Sequence, residues 1–261
     1  MFSKRFFNAV FATILFAWAP LAFTQVLEEV VVTAQIREQS LQDVPISVSA
    51  IAGEDIADRS VDNLQSLSAS VPNFMVVETQ IDTSISIRGV RSGANKGFEQ
   101  SVPINFDGVV YPRSQLARTP LVDLERVEVL RGPQPTLFGK NAIGGAVSVT
   151  SAKPTEEFEG KFSTSHESEH GEDQSLLVLS GALSDNLLGR LTVSTREMDG
   201  WITNTNMKRL EPQRDETYIR GQLAWTSGDV DYNLKVETAD FDSVVYAMEA
   251  FAPQDGSGLV F

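Results

Sequence analysis

Three groups of residues in this chain have types and spacings that suggest chemistry. His166-Glu167-Ser168-Glu169-His170 satisfies the H-E-x-x-H pattern, in which two histidines hold zinc and the glutamate activates the metal's water. That chemistry needs a helix, so that both rings share one face. Here the run sits in HESEHGED between two alternating segments, with few apolar residues to bury a helix and no third histidine. A solvated hairpin tip is predicted, with no catalytic or metal-ligating residue. The second group, Gly132 to Asn141 (GPQPTLFGKN), looks like a phosphate loop. Six residues separate Gly132 from Gly139, too many for a Walker loop, and Asn141 stands where Ser or Thr would bind magnesium. Nucleotide binding is rejected. The third group is a pair of arginines, Arg88 in SISIRG and Arg131 in VEVLRG, each ending an alternating segment just before glycine. From the residues alone, each reads as a surface arginine at a turn.

Composition narrows the partners. The chain has 261 residues, a formal charge of −14 and a pI near 4.6. A negative balance argues against nucleic acid, whose phosphates require clustered Lys and Arg. There is no cysteine, hence no disulfide or thiolate metal site. Lys4 and Arg5 precede an apolar run from Phe6 to Phe23, followed by small residues near Ala22 and Thr24. This is the pattern of a cleavable signal peptide over residues 1–24. The run approaches the length of a spanning helix, but no second such stretch accompanies it.

The elements that would position these groups fall into two styles. Residues 25–42 contain Val30-Val31-Val32-Thr33, β-branched throughout and preceded by acidic residues. Such a segment suits strand addition to another protein's sheet edge, and equally the first strand of the adjoining domain. Residues 43–154 mix short strands and helices, an α+β domain of ordinary size. Strands are predicted at Ile46–Ile51, Phe74–Val77, Ser84–Arg88 and Ile104–Asp107, with a turn at Asp107-Gly108. A helix is predicted after Ser60 as its cap, with Val61, Leu64 and Leu67 at helical spacing. The segment Asp123–Pro154 sets two alternating stretches, RVEVLRG and GAVSVTS, around a loop rich in Gly, Pro and Asn.

From 155 to 261 the style is antiparallel and period two. Segments near Phe158–Ser165, Ser175–Leu183, Leu187–Ser194, Ile219–Trp225 and Val230–Glu237 make five strands. A soluble sandwich would alternate in the same way. The gaps separate the two architectures. His166–Asp173 and Glu197–Gln213 are long, whereas Ser184–Asn186 and Ser227–Asp229 are short. Alternating long and short connections are the habit of outer-membrane barrels, and Trp225 falls where an aromatic girdle is expected.

The strings SISIRGV, VPINFDGVVYPR and Asp123–Pro154 resemble the plug domain of TonB-dependent outer-membrane receptors, and Glu29-Val30-Val31-Val32-Thr33-Ala34 resembles their TonB box. The motif residues are Gly89, Asp107, Gly108, Gly132, Pro133, Gly139, Gly144 and Gly145. The resemblance implies a plug at 43–154 followed by the first strands of a transmembrane β-barrel, about five of about 22. It implies location in a Gram-negative outer membrane, in contact with its lipid. It implies pairing of the box with TonB, and uptake of a scarce extracellular ligand, most often a ferric siderophore or other iron complex, without cofactor or catalysis. It also implies that Arg88 and Arg131 latch the plug to glutamates on the inner barrel wall, on strands expected beyond residue 261. The alternatives are a secreted, non-enzymatic β-rich binding module and a non-functional truncated receptor fragment.

Overall fold

The structure is a computed structural model, and it describes residues 31–32, 39–40, 46–78, 83–92, 99–111, 117–169, 171–205 and 207–244. The signal segment, and Glu29, Val30, Thr33 and Ala34 of the box, lie outside these. Strand β1 (Val31–Val32) forms a two-residue antiparallel ladder with β2 (Gln39–Ser40).

The next elements in chain order are β3 (Ser47–Ala52), α1 (Gly53–Asp58), α2 (Leu64–Ser68), β4 (Phe74–Glu78), β5 (Thr83–Ile87), β6 (Val90–Arg91), β7 (Ile104–Phe106), β8 (Val109–Tyr111), β9 (Leu124–Arg131), α3 (Pro135–Phe138) and β10 (Gly145–Ser151). Among the described residues they make one sheet in the order β3-β9-β10-β7-β8 and another in the order β4-β5-β6. In the first sheet only β7 and β10 run parallel. Strand β9 lies inside the sheet, between β3 and β10, and is covered on both faces, which explains its broken alternation. Val127 and Val129 join Ile56, Leu64, Leu67, Ile85 and Ile104 in the main core. Leu130 turns the other way, into a smaller cluster with Phe138 and Ala146.

Helix α2 differs from its predicted cap. Ser60 is not the N-cap; its φ of 52° places it just past the end of α1. There Ser60 N–H donates to the Ala57 carbonyl and Val61 N–H to the Ile56 carbonyl, the paired bonds of a Schellman ending. Asn63 caps α2 instead. Its side chain accepts from Ser66 N–H at 2.7 Å, while its own N–H donates to Ser66 Oγ at 3.3 Å. Serine thus fills the third position of a capping box, where Glu or Gln is usual. Helix α3 begins with Pro135, whose missing N–H costs nothing in a first turn.

Beyond Lys153 come β11 (Glu159–Glu167), β12 (Glu172–Ser184), β13 (Leu187–Met198), β14 (Ile202–Asn204), β15 (Arg209–Glu211), β16 (Gln213–Ser227) and β17 (Val230–Val244). Five of these form an antiparallel sheet in the order β11-β12-β13-β16-β17, and β14–β15 is a small hairpin between β13 and β16. The strands outrun their predicted lengths. The first gap is consequently short, since His166 and Asp173 are paired strand residues, β11 ending at Glu167 and β12 beginning at Glu172. His166 Nδ1 lies 2.8 Å from Asp173 Oδ1 across the ladder. A strand sends successive side chains to opposite faces, so the helical zinc geometry is absent at His166 and Glu167, while His170 lies outside the described residues.

This sheet inverts the usual burial rule. Arg190, Thr192 and Arg220 are buried, while Phe162, Leu223, Leu234 and Val236 are exposed. Charged groups face the α+β domain and apolar groups face outward. A soluble sandwich would do the opposite.

Candidate functional site

The buried charges of the sheet converge on carboxylates of the α+β domain. Asp123 takes φ 52° at the entry to β9, and its carbonyl accepts from Ala152 N–H at 3.1 Å, closing the β9–β10 ladder. This corner projects its carboxylate at β13 and β16. Arg190 Nε donates to Oδ2 at 2.9 Å and Arg190 Nη2 to Oδ1 at 2.5 Å, a two-pronged pair. Arg220 Nη2 donates to Oδ2 at 3.0 Å, and Thr192 Oγ1 also donates to this oxygen. The side chains are 2–5% exposed, so this cluster is shielded from solvent.

A second corner is built on the Asp107-Gly108 turn, where both residues have positive φ. Asp107 Oδ1 accepts from Ser151 N–H at 2.7 Å, and Oδ2 accepts from Ser151 Oγ at 2.8 Å and from Lys235 Nζ of β17 at 2.7 Å. Ser151 Oγ also accepts from Arg220 Nη1 at 2.9 Å. One hydroxyl therefore joins the Asp107 and Asp123 clusters. Two further contacts are more open. Arg196 Nη1 is 2.7 Å from Asp62, and Arg214 Nη2 is 3.4 Å from Glu78, with side chains 11–21% exposed. Four carboxylates of the α+β domain thus meet cations from three strands.

Burial alone would raise the Asp123 carboxyl. The Arg190 and Thr192 hydrogen bonds, with the charges of Arg190 and Arg220, more than offset it and hold it below the usual carboxylate range. Asp107 is lowered in the same way, burial being outweighed by Lys235 and by the Ser151 backbone and hydroxyl. A depressed carboxyl contributes stability that is complete above its unfolded pKa, about 3.9, and is lost as pH falls through the folded value. Acidifying the full-length protein from pH 7 to about pH 5 should leave protease resistance of the α+β domain unchanged. Resistance should decline only as pH falls below the ordinary carboxylate range, less steeply in Asp123→Asn.

The two arginines flagged by sequence come together at another edge. Arg88 has φ 52° in the β5–β6 turn, is exposed, and donates its backbone N–H to Asn73 at 2.9 Å. Arg131 donates to the Pro72 carbonyl at 3.2 Å, Ser47 Oγ at 3.2 Å and Ser49 Oγ at 2.5 Å. Partial burial, then the neighbouring charge of Arg88, lowers its pKa. All these acceptors are neutral. Of the motif residues, Gly89, Gly108, Gly132 and Gly139 occupy turns with positive φ, and Pro133 lies exposed beyond β9. Gly144 packs against Val90 and Val102. Gly145 passes so close to β9 that a Cβ would lie 2.1 Å from the Leu130 carbonyl oxygen.

Sequence reading missed the arrangement centred on Asp123. Its signal was the sign of charge on the polar face of the strands: Arg190 and Arg220 alternate with leucine and glycine, where Ser or Thr would have sufficed for a wet wall.

An α+β domain pinned by its acidic corners to the charged inner face of an inside-out antiparallel sheet defines a plugged membrane-strand protein. Residues 40–146 match the family model described as TonB-dependent Receptor Plug Domain. The chain belongs to the TonB-dependent outer-membrane receptors. It is 33% identical over 189 residues to the iron-regulated outer membrane virulence protein of Vibrio cholerae serotype O1, a match covering 67% of this chain and 28% of that protein. It is 29% identical over 162 residues to the pesticin receptor of Yersinia pestis, covering 61% and 24% respectively. The crystal structure of the ferric yersiniabactin uptake receptor FyuA from Yersinia pestis superposes with a TM-score of 0.68 at 24% identity, covering 74% of this chain and 31% of that one. The chain thus spans less than a third of these relatives' lengths.

Proposed function

We propose that this chain is the leading part of an energised uptake receptor, with a signal peptide at 1–24, a TonB-binding segment within 25–42, a plug at 43–154 and barrel strands from 155. The observation that carries this reading is the inside-out sheet clamped to the plug through Asp107 and Asp123. Such an arrangement blocks a pore while keeping the blocking domain in register with its wall.

The ligand class is a ferric siderophore or similar iron complex, supported by relatives described as iron-regulated and as ferric enterobactin receptors. The box at Glu29–Ala34 recruits TonB by strand addition. Its described residues, Val31 and Val32, pair with Gln39–Ser40 in a ladder of two rungs, which an incoming strand can replace at little cost. Arg88 and Arg131 are the mobile latch. They are two adjacent cations awaiting acidic partners on the wall, and a desolvated pair formed there is costly to break by halves.

In the full-length protein, Val31→Pro removes a backbone donor from the box and should abolish uptake of radiolabelled ferric siderophore while surface binding persists. Uptake that survives both this change and loss of TonB would overturn the proposal. The secreted-module alternative is separated by heat-modifiable electrophoretic migration, which only a membrane barrel should give.

A further inference from the structure

The outward face of the five-stranded sheet contains a furrow made by glycine. Gly181 of β12 and Gly189 of β13 are direct cross-strand partners, and Gly221 of β16 lies one step along, opposite Leu191. Phe158 stands against Gly181 as one wall, and Leu183 leans over Gly189 from a bulge at the end of β12. At Gly221 a Cβ would meet nothing within 4 Å. The concavity has a volume of about 470 Å³, within the range of small-molecule sites, and Leu223, Leu234 and Val236 complete its lining. Glycine inside a strand forfeits packing and costs conformational entropy. Three of them side by side on an otherwise bulky apolar face leave room for something else. An empty groove in hydrocarbon would forfeit dispersion contacts along its whole length.

The end of the furrow has its own chemistry. It runs toward the short turns 185–186 and 228–229, beside the segment that leads into β11. Glu156, Glu157, Asp185 and Asp229 are exposed there, and the carbonyl of Glu156 accepts from Ala182 N–H at 3.3 Å. Stretches 154–160, 182–189 and 225–231 contain no Lys or Arg. The flanking cations are turned elsewhere. Lys153 lies 3.8 Å from Glu125 and Arg190 grips Asp123, while Lys161 shares the inner face with its cross-strand partner Val178. An anionic headgroup would be repelled at this rim, and a headgroup bearing an ammonium would be attracted.

We propose that the furrow binds an acyl chain of one phosphatidylethanolamine molecule, with its amine among Glu156, Glu157, Asp185 and Asp229. This rests on the reading of β11, β12, β13, β16 and β17 as membrane strands, because the furrow continues the apolar surface that would face the lipid.

The test uses the full-length protein in nanodiscs of equal phosphatidylethanolamine and phosphatidylglycerol, with retained lipid counted by native mass spectrometry. One phosphatidylethanolamine should be retained per protein, at least about fivefold over phosphatidylglycerol. Gly221→Leu has open space for its side chain, so it should fill the furrow, preserve heat-modifiable migration and lose the retained lipid. Asp185→Asn with Asp229→Asn should keep a lipid but lose the headgroup preference. Equal retention of both lipids, retention unchanged in Gly221→Leu, or no retained lipid would overturn the proposal. Loss of heat-modifiable migration in the unmodified protein would instead overturn the barrel reading beneath it.

Discussion

Replacing Asp123 with alanine in the full-length protein should loosen the plug from β13 and β16 at a cost of about 3–5 kcal/mol. The change removes the carboxylate shared by two guanidiniums, Arg190 and Arg220, whose side chains are only 5% and 2% exposed: Arg190 keeps Glu159 at 2.9 Å, while Arg220 is left with neutral acceptors such as Ser151 Oγ. Neither can reach solvent without moving a strand of the wall. The loss is therefore the desolvation of unpaired charge as well as the missing hydrogen bonds. Denaturant titration followed by protease resistance of the plug measures it. Asp123→Asn should cost less, because the amide oxygen still accepts from one arginine. Glu78→Ala sets the scale for an open contact. Its partner Arg214 is 3.4 Å away and 20% exposed, so about 1 kcal/mol or less is expected. If Asp123→Ala and Glu78→Ala prove equally mild, the buried cluster does not hold the plug.

Gly145→Ala should be at least as damaging, about 3 kcal/mol or more. The added Cβ would sit 2.1 Å from the Leu130 carbonyl oxygen and 2.8 Å from Ile87 Cδ1, at a φ of 147° that L-residues rarely adopt. A backbone oxygen paired in a central ladder cannot withdraw as a side-chain tip can. The first rung of β9–β10, Arg131 opposite Gly145, should open. That rung also sets the position of Arg131, so binding and uptake should fall together with stability. Gly132→Ala is the control. It too has positive φ, but its Cβ would meet nothing within 4 Å, leaving a conformational cost of about 1–2 kcal/mol. Thermal and denaturant unfolding of the two variants, compared directly, separates steric closeness from backbone strain.

The legible parts of this chain were those set by local pattern. Leu187 to Ser194 alternates because the strand has an exposed apolar face on one side and a buried charged face on the other, and that alternation needs no partner to be seen. The Asp107-Gly108 turn was legible for the same reason, its two positive-φ residues being adjacent in sequence. What escaped depends on distance along the chain. Asp123 meets Arg220 across 97 residues, and nothing in the types of either residue specifies the other. The family resemblance directed attention to plug arginines and a glutamate wall, whereas the described contacts also run with the opposite polarity, from plug carboxylates to wall cations. The Ser60 cap failed on a finer point. Ser60 and Asn63 are both good capping residues, and the choice between them was decided by how α1 ends. The H-E-x-x-H pattern failed for a related reason: the spacing of side chains has chemical meaning only after the backbone period is known.

Ser151 has a consequence for how the plug is held to the wall. Its hydroxyl donates to Asp107 and accepts from Arg220, so neither acidic corner can be vacated without disturbing the orientation that serves the other. The two attachments then behave as one cooperative unit, and their free energies are not additive. A double-mutant cycle between Asp107 and Asp123 should return a coupling energy of about 0.5–3 kcal/mol that shrinks in a Ser151→Ala background. Under the proposed function, detachment of this half of the plug would be a single all-or-none event with one threshold, and a pull below that threshold would accomplish nothing.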